Sequence, residues 1–136
     1  MLRGATMTIE FNHTIIWATD PAASARFLST ALGLSDPVRF ARFHVVDVGG
    51  GVSLDFARSD RPIQTGHYAF LVSDDSFDAV MGRLVECGVP FWADPFQSMP
   101  GRINHADGGR GAYFLDPDGH SFEIITRPYG SSGESS

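Results

Sequence analysis

His13-Thr-Ile-Ile-Trp-Ala-Thr-Asp20 and His67-Tyr-Ala-Phe-Leu-Val-Ser-Asp74 are two versions of one segment. Each starts at a histidine, runs through β-branched and aromatic residues, and gives way to a helix-like stretch that ends near glycine. The likeness returns downstream, where Ser53-Leu-Asp55-Phe-Ala falls on Ser121-Phe-Glu123-Ile-Ile, so Asp55 is to the first half what Glu123 is to the second. A duplicated unit with a histidine on its first strand and a carboxylate on its last brings two imidazoles and one or two carboxylates into one chain. That is the donor set of a mononuclear divalent-metal site.

Working outward, Thr8 to Ala18 reads as a first strand, with Phe11, His13, Ile15 and Trp17 on one face by period two. Asp20 is placed to cap a helix with Pro21 at its first position. Ala25, Leu28, Ala31 and Leu32 then follow helical spacing up to Gly33. Val38 to Ala41, Phe43 to Val48 and Val52 to Ala57 read as three short antiparallel strands. The first module is therefore βαβββ, and Arg58 to Gly66 is a linker. The pattern restarts with a strand over His67 to Ser73. Asp74 is expected to cap a helix carrying Phe77, Val80, Met81, Leu84 and Val85 up to Gly88. Pro90 to Ala93 is a short strand, Asp94 to Gly109 a long polar loop, and Arg110 to Leu115 with His120 to Thr126 a hairpin turning at Asp116-Pro117-Asp118-Gly119. Met1 to Thr6 carry no periodicity, and the Gly- and Ser-rich residues 129–136 read as a flexible tail.

With 136 residues and 43% hydrophobic composition the chain can bury one core, as a single domain over 8–128 or as two half-size modules (8–58 and 66–128) sharing it. A net charge of −6 with scattered cations argues against nucleic acid or an anionic membrane as partner. All ten basic residues are arginine, which removes lysine Schiff-base and Walker-type chemistry. Cys87 is the lone cysteine, so no intrachain disulfide forms, and no leader-like or membrane-length apolar segment is seen; a cytoplasmic protein is expected.

The paired βαβββ modules, the His13 and His67 strand starts, the strand Gly51-Val-Ser-Leu-Asp-Phe and the tail Gly111-Ala-Tyr-Phe-Leu-Asp-Pro-Asp-Gly-His-Ser-Phe-Glu-Ile-Ile together resemble the vicinal oxygen chelate superfamily, which includes glyoxalase I, type I extradiol dioxygenases, fosfomycin resistance enzymes and bleomycin-binding proteins. The resemblance implies an α+β fold in which two tandem βαβββ modules form an eight-stranded, open, barrel-like mixed sheet with a central cleft. It implies metal ligands at His13, His67 and Glu123 for a divalent ion (Fe, Mn, Ni or Zn), with Asp55 in a place that is a ligand in glyoxalases but not in the dioxygenases. It also implies a homodimer, which in several relatives shares the site between two chains.

Such an ion keeps open positions for a substrate that chelates it through neighbouring oxygens. Asp55 is one methylene shorter than the glutamate that glyoxalase chemistry wants, and is either a catalytic acid or a polar residue on a wetted strand face. His105, in a loop with Asn104, Asp107 and Arg110, is either a catalytic acid/base or a solvated loop residue, and Arg110 could hold a carboxylate. His120 reads as structural. The dioxygenase branch wants a further histidine and tyrosine, for which His105 and Tyr113 or Tyr129 are the candidates; the fosfomycin branch uses a lysine-bearing loop that this chain lacks. The expected function is a divalent-metal-dependent glyoxalase- or dioxygenase-like enzyme acting on a small molecule. The alternative is a metal-free protein that binds a bleomycin-type antibiotic and confers resistance.

Overall fold

The computed structural model describes residues 7–133; Met1 to Thr6 and residues 134–136 of the expected tail lie outside it. Each module is βαβββ. The first holds β1 (His13–Ala18), α1 (Pro21–Leu32), β2 (Val38–Phe40), β3 (Phe43–Gly49) and β4 (Val52–Arg58). The second holds β5 (His67–Leu71), α2 (Asp74–Glu86), β6 (Phe91–Trp92), β7 (Gly111–Leu115) and β8 (Ser121–Ile125), with a single 3-10 turn at Ala106–Gly108. The eight strands form two four-stranded mixed sheets in the orders β1-β4-β3-β2 and β5-β8-β7-β6, and no closed barrel is made among the described residues. In each sheet the first and last strands of the module pair in parallel, which the crossover helix allows, and the rest is antiparallel.

The helices begin and end where their caps dictate. Asp20 accepts from the Ala23 amide, Pro21 opens α1, and Gly33 closes it with φ +70°. In α2 the cap is Ser73, whose hydroxyl accepts from the Ser76 amide, and the expected cap Asp74 is the first helical residue. The Asp74 carboxylate is instead taken by Arg110. β1 also starts later than its composition suggests. Its register with β4 begins at His13 opposite Ser53, and β4 itself begins just after the Gly49-Gly50-Gly51 turn, so residues 8–12 have little strand to pair with.

Both modules feed one core. Ile16, Ala18, Leu28, Val46 and Phe56 of the first lie in the same buried cluster as Phe77, Leu84, Phe114, Phe122 and Ile124 of the second, and the Phe27 and Phe114 rings meet at 6.1 Å. In β1 the core side is Thr14, Ile16 and Ala18, so the His13–Ile15–Trp17 face is turned away from α1. The same alternation in β5 puts Tyr68 and Phe70 against Phe122 and leaves His67, Ala69 and Leu71 on the open face.

A polar clip joins the modules. Buried His120 accepts the Gly66 amide at Nδ1 (2.9 Å), which fixes its proton on Nε2, and Nε2 donates to the Trp17 carbonyl (2.8 Å). Asp118 of the same turn accepts from the Thr19 amide and hydroxyl and from Ser24. No helix among the described residues is long and apolar enough to cross a membrane.

Candidate metal centre

The parallel register of β5 with β8 sets His67 opposite Ser121 and Ala69 opposite Glu123, so His67 and Glu123 are diagonal neighbours on the open face of the second sheet. Their side chains meet: His67 Nε2 lies 2.9 Å from Glu123 Oε1. Glu123 is wholly buried and the His67 side chain is 48% exposed, so the carboxylate is the fixed member and the imidazole faces solvent. An ionised carboxylate only accepts, so Nε2 donates to it and Nδ1 accepts from the Ser121 hydroxyl at 3.2 Å.

The second carboxylate oxygen is occupied too. The Tyr129 hydroxyl donates a very short hydrogen bond to Glu123 Oε2, and the Tyr113 hydroxyl lies 3.3 Å from that of Tyr129. Burial raises the Tyr113 hydroxyl far above the usual phenol range, reinforced by its bond to Tyr129 and by the Glu123 carboxylate. Burial, followed by the bond to Glu123, raises Tyr129 as well. Both phenols therefore stay protonated, and the chain of donors runs Tyr113 to Tyr129 to Glu123, with His67 feeding the other oxygen. The His67 and Tyr113 rings are 5.9 Å apart. The register of β6 with β7 puts Trp92 opposite Tyr113 on the same face, which gives the pair an aromatic rim. Residues 129–132, read as tail, are fastened by Tyr129 to Glu123 and by Gly130 and Ser132 to the Asp107 carboxylate.

The first module repeats the register but not the contact. His13 lies opposite Ser53 and Ile15 opposite Asp55, as His67 and Ala69 lie opposite Ser121 and Glu123. Yet Asp55 Oδ1 accepts from the Ser53 hydroxyl at 2.8 Å, and His13 Nδ1 is bonded to Asn12 Oδ1 at 2.7 Å. The shorter aspartate folds onto its own strand. Among the described residues no three His, Cys, Asp or Glu side chains are gathered closely enough to hold a metal ion: His67 and Glu123 are brought together, while His13, Asp55 and His105 stand apart from them.

His105 is exposed at the start of the 3-10 turn, with no side-chain cap bond. Arg110, which the sequence offers as a carboxylate holder, is engaged inside the chain, at 2.6 Å from Asp78, at 3.0 Å from Asp74 and over the Phe77 ring. Of the groups that complete the pair, Tyr113 and Tyr129 were candidates only through the resemblance. The Ser121 hydroxyl carried one sequence signal, its place opposite the strand-leading histidine, matched by Ser53 opposite His13.

His67 and Glu123 by themselves bring together one imidazole and one carboxylate, two donors of the kind a divalent ion takes. The buried Glu123 carboxylate has no arginine at ion-pair distance among the described residues, so its negative charge is offset only by hydrogen-bond donors and by whatever charge His67 carries.

A sequence profile described as the Glyoxalase/Bleomycin resistance protein/Dioxygenase superfamily matches residues 10–124. The solved structure of oxidase ChaP-H1 is 56% identical, covering 91% of this chain and 100% of that one, with a TM-score of 0.88. For oxidase ChaP-H2 the identity is 55%, the coverage 93% and 100%, and the TM-score 0.90. Glutathione transferase FosA of Serratia marcescens is 32% identical over 124 residues, 87% of this chain and 81% of that protein.

Proposed function

Because the chain belongs to the glyoxalase/bleomycin resistance protein/dioxygenase superfamily, we propose that it is a metal-dependent oxidase of a small aromatic molecule that presents neighbouring oxygens, with His67 and Glu123 holding the ion and His13 of a second copy completing the site. The observation that carries this is the buried Glu123 carboxylate, paired with His67 and roofed by Tyr129 beside an aromatic rim. Such an ion would supply Lewis acidity and, if redox-active, electron transfer toward dioxygen as the oxidant. The chain's own residues do the rest. Ser121 orients the His67 ring, Tyr129 holds one Glu123 oxygen so that the other points at His67, and Tyr113 with Trp92 offers a flat surface for a planar substrate. The likeness to two proteins named oxidases at 55–56% identity favours this branch over the transferase branch.

The second copy is favoured by the open face of the first sheet. One row across it runs Ile15, Asp55, Val45 and Val38, and Val38 (66%), Phe40 (71%) and Trp17 (41%) are left exposed on it. An exposed apolar sheet face of this kind marks an interaction site, and two-fold pairing with a second copy is the commonest form of oligomer. The same face carries His13, which among the described residues belongs to no group of three metal-binding side chains.

Metal content of the purified protein, with oxygen uptake on catechols and dihydroxynaphthalenes, tests the reading. Near-stoichiometric metal in the wild type, lost in His67→Ala and Glu123→Gln, is expected. Mixing His13→Ala with His67→Ala protein should restore part of the activity, because some mixed dimers then hold one complete site. A metal-free wild type that binds bleomycin-like ligands would replace the enzyme reading with the binder.

A further inference from the structure

The open face of the first sheet leads from His13 through Ile15 to Trp17, and Trp17 is a wall of a cavity of about 510 Å³ at the far end of that strand. Three of the chain's ten arginines, Arg42, Arg58 and Arg61, line the same cavity, against one carboxylate, Asp60. In a chain of net charge −6 this is a local concentration of positive charge. None of the three guanidiniums is held by a carboxylate at ion-pair distance among the described residues. Arg42, which also sits over the Phe43 ring at 5.4 Å, lines the cavity with them.

We infer that this pocket recognises a carboxylate at the far end of an extended, planar aromatic substrate whose near end carries the metal-chelating oxygens. The inference rests on the proposed function, because the near end is placed by His13. Along a strand, the four residue steps from His13 to Trp17 span about 13 Å. A single catechol ring is too short to reach from one end to the other, whereas a fused-ring acid, met by long arginine side chains, spans it. Trp17 supplies a flat face at the distal end, the guanidiniums supply forked donors that match a carboxylate, and Asp60 disfavours a second negative group beside it. Asp55, on the row between His13 and Trp17, would then lie under the middle of the substrate.

The test is calorimetric titration of three probes: a dihydroxynaphthoate, the same dihydroxynaphthalene without its carboxylate, and naphthoate without hydroxyls. Arg58→Gln and Arg61→Gln should each weaken the two carboxylated probes by about tenfold and leave dihydroxynaphthalene within about twofold. Arginine-to-lysine versions should recover part of the loss, and added salt should weaken the carboxylated probes selectively. The proposal is overturned if wild-type protein binds the diol equally well with and without its carboxylate, or if the arginine variants weaken all three probes alike. It is also overturned if inorganic phosphate displaces naphthoate below naphthoate's own dissociation constant, since the pocket is then a free-anion site. His67→Ala separates the two readings. Loss of dihydroxynaphthalene binding with naphthoate binding intact supports both, while unchanged diol binding beside an arginine-dependent naphthoate signal keeps the pocket and removes the metal reading.

Discussion

Removing one hydroxyl from the tail should be felt in the buried carboxylate of the centre. Tyr129→Phe keeps the ring and deletes the donor to Glu123 Oε2. A hydrogen bond to a charged group contributes about 1.5–3 kcal/mol, and leaving a buried acceptor empty costs at least that range. Tyr129 is 63% exposed, so water can enter and return part of the loss, which leaves about 1–2 kcal/mol. For a chain of this size that corresponds to a fall in Tm of roughly 3–8 °C. The assay is urea unfolding of metal-free protein held in chelator, read as a lower midpoint at unchanged slope. The same substitution in a Glu123→Gln background closes a double-mutant cycle, and there its cost should shrink by at least about 0.5 kcal/mol, because a neutral amide receives a weaker bond. A Tyr129→Phe variant within about 0.3 kcal/mol of wild type, or an equal cost in both backgrounds, would refute the reasoning.

His120→Ala removes both hydrogen bonds of the clip and strands the Gly66 amide and the Trp17 carbonyl; a loss of about 3 kcal/mol is expected in the same unfolding assay. Ser73→Ala removes the α2 cap and should cost about 1 kcal/mol, whereas Asp74→Ala leaves the cap intact and instead loosens Arg110. Asp116 is the pH-sensitive member of the hairpin turn, because burial raises its carboxyl above the usual aspartate value while Oδ2 has no partner among the described residues. With a raised native value, its contribution to stability is full below the ordinary aspartate range and is lost as pH rises through the raised value. Unfolding free energies of wild type and Asp116→Asn across acidic pH should therefore converge or cross as pH rises, with wild type relatively more stable at the acid end.

The parts of this fold legible in the sequence are those governed by neighbours along the chain. Asp20, Pro21 and Gly33 bracket α1 because capping is local, and Asp116 to Gly119 announced their turn for the same reason. At Ser73-Asp74 two adjacent capping residues competed, and the loser was settled by Arg110, 36 residues away. Strand β1 looked longer than it is because β-branched composition at residues 8–12 says nothing about where β4 begins. The division of eight strands into two sheets is likewise a matter of pairing partners, to which period-two patterns are blind.

The duplication carried the candidate site further than local rules could. It pointed to His67 and Glu123, which the parallel register makes diagonal neighbours. It also pointed to Asp55, whose backbone stands where Glu123's does, but whose side chain is shorter and turns to Ser53. Tyr129 lies beyond β8 in a Gly- and Ser-rich stretch with no periodic signal. Only the return of the chain past Asp107 reveals that its hydroxyl belongs to the centre.

The clip at His120 bears on the order of assembly. Its two hydrogen bonds are inside a buried seam within one chain, whereas the face carrying His13, Val38 and Phe40 is open to solvent. If two copies join through that face, as proposed, the seam stays closed, so folding of each chain would precede pairing instead of depending on it. Dilution should thus strip metal before it melts structure. In a dimer of that kind the ion's occupancy would follow protein concentration while the far-ultraviolet dichroism stays constant.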